Sequence, residues 1–144
     1  MSNVYDKAIS LLKIRPHASG EIIRKLTLRG FNTDEAREVT EQLKEQGLID
    51  DALFAQTFLE NLIRFKTFGF YGLKMKLMQR GIPGHDAEVL LKENLSLDLE
   101  KQIAQRVVER NKNLDKIKLA QKLSRKGFRS EVIRAMIEKP PENF

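Results

Sequence analysis

Apolar residues recur along this chain at helical spacing. Tyr5, Ala8, Ile9 and Leu12 follow the i, i+3, i+4, i+7 rule, which lines one face of a helix. Ala55, Phe58, Leu59 and Leu62 repeat the pattern, and Ile103, Ala104, Val107 and Val108 give the same face in the last third. No segment sustains a two-residue alternation, so no strand is predicted. Between these helices a short motif returns three times: KLTLRGF from Lys25, KLMQRGI from Lys76 and KLSRKGF from Lys122. Each reads Lys-Leu-x-x-(Arg/Lys)-Gly-(Phe/Ile), with glycines at positions 30, 81 and 127.

The register continues beyond each glycine. Three residues on stand Thr33, Gly84 and Ser130; six on, Ala36, Ala87 and Ile133; nine on, Val39, Leu90 and Met136. Each motif is therefore the end of one helix, a short turn and the start of another. Glycine suits the residue just past a helix, where the left-handed conformation carries no Cβ penalty. The Arg or Lys before it complements the helix dipole. Thr33 and Ser130 are expected to cap the following helices, and Ser19 the second helix. With a helix ahead of each pair, the pattern predicts an all-α chain of three tandem three-helix repeats, spanning 1–49, 50–95 and 96–139. Leu26, Leu77 and Leu123 become equivalent core positions. The tail from Pro140 to Phe144 cannot continue a helix.

Composition narrows the chemistry. The 144 residues contain no cysteine and two histidines, so thiolate metal sites and disulfides are excluded and a histidine-rich site is not expected. The first six residues are polar and no apolar run is long enough to span a bilayer, so a cytoplasmic protein without a membrane partner is expected. The net charge is +6, unevenly distributed. Residues 1–50 carry 8 basic and 8 acidic side chains, residues 51–95 carry 6 and 5, and residues 96–144 carry 12 and 7. Such an asymmetry points to a polyanion or an acidic protein surface as partner.

Several segments carry a functional and a structural reading. In Leu48-Ile49-Asp50-Asp51-Ala52-Leu53-Phe54-Ala55 the paired carboxylates suggest helix capping and dipole compensation, with Leu48 and Ile49 packing on Phe54 and Phe58. His17 and His85 lie in polar turns and read as surface residues. Phe68, Phe70 and Tyr71, flanked by Arg64, Lys66, Lys74 and Lys76, are either a stacking platform for a nucleic acid or protein partner or the filling between repeats. The pairs Lys25/Arg29, Lys76/Arg80 and Lys122/Lys126 each share a helix face at i, i+4. Lys118, Lys122, Arg125 and Arg129 extend the last of these. In the neutral first repeat the pair reads as a solvated face; in the third the clustering reads as a contact surface. No nucleophile, base or ligand set converges, so no enzyme, metal or cofactor is expected.

The residues also match a known family. Leu48-Ile-Asp-Asp-Ala-Leu-Phe-Ala55 resembles the (Y/L)-I-(D/N)-D-x-x-(F/Y)-A signature of the RecX family, and Arg15-Pro-His-Ala-Ser19-Gly-Glu-Ile22 is similar to its R-x-x-S-x-x-E-L segment. Lys66-Thr-Phe-Gly69, followed by Lys76-Leu77 and Arg80-Gly81-Ile82, resembles a third family motif. Lys76 stands where the family commonly has Glu. The resemblance implies an elongated, curved array of three-helix repeats, monomeric, that lies in the groove of a RecA–DNA filament and hinders ATP hydrolysis and strand exchange in recombination, DNA repair and the SOS response. The basic clustering and the aromatic run make Lys76, Arg80, Lys118, Lys122, Arg125, Lys126, Arg129, Phe68, Phe70 and Tyr71 the residues expected to meet RecA or single- or double-stranded DNA. The alternative is a helical-repeat DNA-binding module acting without RecA.

Overall fold

A computed structural model describes residues 3–138. Among these residues the chain forms nine helices and no strand: α1 (Val4–Ile14), α2 (Ser19–Leu28), α3 (Thr33–Glu45), α4 (Asp51–Phe65), α5 (Phe70–Gln79), α6 (Gly84–Asn94), α7 (Leu97–Arg110), α8 (Lys116–Arg125) and α9 (Ser130–Ile137). The Pro140–Phe144 tail lies outside the described residues.

The recurring motif is a helix terminator. At the end of α2 the Phe31 amide donates to the Leu26 carbonyl (3.2 Å) and the Gly30 amide to Thr27 (3.0 Å). Ile82 to Leu77 and Gly81 to Met78 repeat this after α5, as do Phe128 to Leu123 and Gly127 to Ser124 after α8. This is the Schellman pattern, in which a left-handed glycine lets its own amide and the next one satisfy carbonyls of the last turn. Gly30, Gly81 and Gly127 have φ of 94°, 89° and 84°. The motif's leucine is the carbonyl that closes the turn, and the Phe or Ile after the glycine is the hydrophobic residue that accompanies it. Leu26, Leu77 and Leu123 are fully buried, as the spacing predicts.

Helix starts differ from expectation. Asn32, not Thr33, caps α3 by accepting from the Asp34 amide (2.8 Å). Ser19 is the first residue of α2 and Ser130 the first of α9; the residues before them, Ala18 and Arg129, make no side-chain cap. Both helix starts instead use a carboxylate from another helix, described below. Asp50 does cap α4, accepting from the Leu53 amide (3.0 Å).

The chain divides into two compact units. One comprises the chain up to Phe58 with Leu77–Pro83; the other comprises Leu59–Lys76 and the chain from Gly84. In the first unit α1, α2 and α3 enclose Ala8, Leu11, Ile22, Leu26, Ala36, Val39 and Leu43, joined by Ile49. Leu48 is 52% exposed and does not pack as expected: its amide closes the turn after α3 onto Leu43, while Ile49 takes the core position. In the second unit Ile103, Ala104 and Val107 of α7 are buried along with Leu119, Leu123, Phe128 and Val132. On α9 the fully buried residue is Val132, while Ile133 and Met136 are half-buried; the apolar stripe thus sits one position earlier than in the other two repeats.

Two substitutions test this reading. Leu77→Ala should lower stability by about 2–5 kcal/mol, measured by urea unfolding. Gly30→Ala and Gly127→Ala separate conformation from packing. A Cβ on Gly30 would meet nothing within 4 Å, whereas one on Gly127 would collide with the backbone of Gly72. Gly30→Ala should therefore cost about 1–2 kcal/mol, the left-handed penalty alone, and Gly127→Ala at least about 1 kcal/mol more.

Candidate interaction surface

Two carboxylates organise the polar structure. In the first unit Glu21 of α2 accepts from both terminal nitrogens of Arg15 (2.6 and 3.2 Å) and from Arg80 Nε (3.0 Å). The Arg80 guanidinium also lies 5.4 and 4.7 Å from the ring centres of Phe54 and Phe58, which stack on each other at 5.8 Å. Burial pushes the Glu21 carboxyl upward, but its hydrogen bond with Arg15 and the charge of Arg80 outweigh that, so its pKa falls below the ordinary 4.5. Asp51, the first residue of α4, accepts from the Ser19 amide (2.7 Å) and from the Ser19 hydroxyl. It therefore caps α2 from outside.

In the second unit Glu100 of α7 is fully buried. It accepts from the amide of Phe70 at the start of α5 (3.1 Å), from the amide of Arg129 at the start of α9 (2.9 Å) and from Arg129 Nε. A buried carboxylate is tolerable only when it is paired and its oxygens are satisfied, and here one group satisfies two helix starts. The Arg129 guanidinium lies 4.7 Å from the Phe70 ring centre and also donates to the Leu95 carbonyl.

His17 is buried at 3% exposure rather than on the surface. Its Nδ1 lies 2.8 Å from the Arg15 carbonyl and its Nε2 lies 2.8 Å from Lys25 Nζ. Burial, ahead of the nearby cations, keeps its pKa below the ordinary histidine value. It serves as an acceptor that holds Lys25 against the turn between α1 and α2. His85 is exposed. Among the described residues no group of three or more acidic or histidine side chains could hold a metal ion.

The residues expected to meet a partner divide into two sets. Arg80 is engaged with the part-buried Glu21 and Arg129 with the buried Glu100, and Phe70 is buried. Lys118 and Arg125 are exposed on α8, and Tyr71 is 58% exposed. Lys76, Lys122 and Lys126 are intermediate. Lys76 and Lys126 bring their ammonium groups to 5.1 and 5.3 Å from the Phe68 ring centre. Lys126 Nζ donates to Thr67 Oγ1 (3.0 Å) and Lys122 Nζ to Asn111 Oδ1 (2.9 Å). The Leu48–Ala55 signature is structural: Ile49 and Ala55 are buried, Asp50 and Asp51 are caps, and Phe54 receives Arg80. Sequence reasoning missed Glu21 and Glu100. Glu100 was detectable as an acidic residue on the apolar stripe shared with Ile103, Ala104 and Val107; Glu21 and Arg15 stand together in the Arg15–Ile22 segment, but nothing local pointed to the second partner, Arg80, 59 residues away.

Comparison with known proteins decides the family. Residues 5–43 match the model for the first three-helix domain of RecX and residues 50–91 the model for the second. The regulatory protein RecX of Halorhodospira halophila is 31% identical over 139 residues, covering 92% of this chain and 84% of that protein. The chain belongs to the RecX family. The Trichlorobacter lovleyi RecX is 29% identical with 96% of each chain covered. The Prosthecochloris aestuarii RecX is 39% identical over 88 residues, and that match spans 58% of the relative's length. The fold agrees with the crystal structure of RecX from Lactobacillus salivarius, at a TM-score of 0.78 and 22% identity over 94% of this chain and 93% of that one. No helix among the described residues is long and apolar enough to cross a membrane.

The depressed pKa of Glu21 gives a pH test. A carboxyl whose folded pKa lies below its unfolded value contributes stability above that unfolded value and loses it as pH falls through the folded one. The stability gap between wild type and Glu21→Gln should therefore be full at neutral pH and close below about pH 4.5. Urea midpoints measured from pH 7 to pH 3 check it; a constant gap would contradict the ion-pair assignment.

Proposed function

We propose that this RecX-family chain binds RecA–DNA filaments and lowers their ATPase and strand-exchange activity, acting by occupancy and supplying no chemistry of its own. The observation that carries the reading is the pair of RecX domain matches over residues 5–43 and 50–91, together with relatives named as regulatory proteins across nearly the whole chain. The proposal retains three repeats bounded near residues 49–50 and 95–96, working as a monomer in the cytoplasm.

The exposed cations supply a contact. Lys118 and Arg125 stand seven residues apart on α8, on one helix face, and Lys76, Lys122 and Lys126 carry further positive charge in the same unit. DNA phosphates within such a filament, or acidic side chains on it, would be the complement of such a face. Contact with successive RecA protomers would fix the spacing between their ATP sites and slow turnover. Arg129 takes part indirectly, by holding α9 to α7 within that unit.

The test is the DNA-dependent ATPase of the same organism's RecA, with this protein added below one molecule per RecA protomer, alongside co-sedimentation with the filament. The expected result is a falling hydrolysis rate and recovery of the protein in the filament pellet. Unchanged hydrolysis without co-sedimentation would overturn the reading.

A further inference from the structure

The three motif lysines hold equivalent sequence positions but face different partners. Lys76 Nζ lies 5.1 Å from the centre of the Phe68 ring, and Lys122 Nζ donates to Asn111 Oδ1 at 2.9 Å. Neither of those partners takes up a proton. Lys25 Nζ instead lies 2.8 Å from His17 Nε2, which is a base. The His17 ring is buried, while Lys25 is partly exposed. The amine therefore meets solvent and the imidazole behind it is sheltered.

The contacts of the imidazole fix its proton. A carbonyl cannot donate, so Nδ1, 2.8 Å from the Arg15 carbonyl, carries the hydrogen. An ammonium or amine at hydrogen-bond distance donates, so Nε2 is the bare nitrogen that accepts from Lys25. Burial, ahead of the nearby cations, lowers the His17 pKa and keeps the ring in this neutral form at neutral pH. A neutral imidazole held in one tautomer, with its free nitrogen on a nucleophile, has the arrangement of a general base.

The amine is also placed among cations. Partial burial first, then the charge of Arg15, with those of Arg29 and Arg80, outweighs the attraction of Glu21 and holds the Lys25 pKa below the ordinary lysine value. Glu21, one turn earlier on α2, is committed to Arg15 and Arg80. A larger share of Lys25 is therefore the neutral amine, which is the nucleophilic form. Arg29, one turn later, is exposed, and its guanidinium donates to the Lys25 carbonyl at 3.4 Å. That acceptor is neutral, so the positive charge of Arg29 stays available to an anionic reagent.

We propose that Lys25 is a modification site, where the amine takes an acyl group from an acyl phosphate while His17 accepts the proton that is released. The Lys25 nitrogen attacks the acyl carbon and forms the C–N bond. The C–O bond to phosphate breaks, and inorganic phosphate leaves with the electron pair. The N–H aimed at Nε2 becomes acidic as the nitrogen gains positive charge, and its proton passes to His17 and then to water. The product is a neutral amide. It leaves residues 1–50, which carry 8 basic and 8 acidic side chains, net negative. This inference goes beyond filament binding, and its test needs no RecA.

The test is site-resolved mass spectrometry of the full chain incubated with acetyl phosphate. Lys25 should be acetylated about tenfold faster than the exposed Lys13, a small part of a full general-base effect, and faster than Lys76 and Lys122. His17→Gln keeps a hydrogen-bond acceptor but removes the base, and should bring Lys25 down to the rate of Lys13. Wild type in concentrated urea should lose the preference too, a control that stands even where His17→Gln does not fold. Arg29→Gln should slow acetylation of Lys25 by acetyl phosphate but not by the uncharged p-nitrophenyl acetate. Lys25 reacting no faster than Lys13 would overturn the proposal. So would a preference that survives urea, or one retained by His17→Gln that circular dichroism shows to be folded. An Arg29→Gln effect that is absent, or equal for both reagents, would overturn an acyl phosphate as the donor.

Discussion

Helix backbones approach to van der Waals contact only where no Cβ intervenes, and this chain makes that approach twice. In the first unit a Cβ on Gly20 would lie 2.6 Å from the Gly81 carbonyl oxygen, and one on Gly81 would lie 2.6 Å from the Glu21 amide. In the second unit Gly72 and Gly127 are closer still, and Gly69 meets the backbone of Phe128. There the contact is hydrogen-bonded as well: the Gly69 amide donates to Lys126 and the Tyr71 amide to Gly127. The glycine that ends α5 or α8 therefore has two duties. Its left-handed φ closes its own helix, and its missing side chain admits the first turn of an earlier helix.

That contact places helix starts where ordinary capping side chains do not serve, and carboxylates from a later helix take over. Asp51 of α4 receives the start of α2, and Glu100 of α7 receives the start of α5. Each close approach is then locked by an arginine shortly after or before the same glycine turn: Arg80 on Glu21, and Arg129 on Glu100. Both guanidinium groups also lie over aromatic rings, which suits a weakly hydrated planar cation. In the sequence Arg80 directly precedes Gly81 within the motif, whereas Arg129 follows Gly127 by two residues, just past the motif's end.

Much of the fold was legible in the chain. Three copies of Lys-Leu-x-x-(Arg/Lys)-Gly-(Phe/Ile) located three helix ends, and the buried leucines followed from the Schellman geometry that the motif encodes. Helix starts were less legible, because Ser19 and Ser130 have the local chemistry of caps while their caps come from residues 32 and 30 positions away in the chain, at Asp51 for Ser19 and at Glu100 for the Arg129 amide beside Ser130. Charge misled in the same way. Arg80 and Arg129 look like members of a basic track, but each is bound to a carboxylate that only the folded chain brings near. His17 looked solvent-facing in Arg-Pro-His-Ala, and its burial follows from the turn that folds it onto Lys25.

What remains on the surface is a smaller set of cations than the composition suggested, because the two carboxylate nodes take up Arg15, Arg80 and Arg129. The Glu100 node is the sharper of the two, since it is fully buried and joins α5, α7 and α9. A double-mutant cycle in urea with Glu100→Gln and Arg129→Met measures it directly. Each single change should destabilise the protein by about 3 kcal/mol, and the double variant should fall short of the sum by at least about 1 kcal/mol. Additivity within about 0.5 kcal/mol would contradict the assignment of this ion pair as the joint that holds the helices.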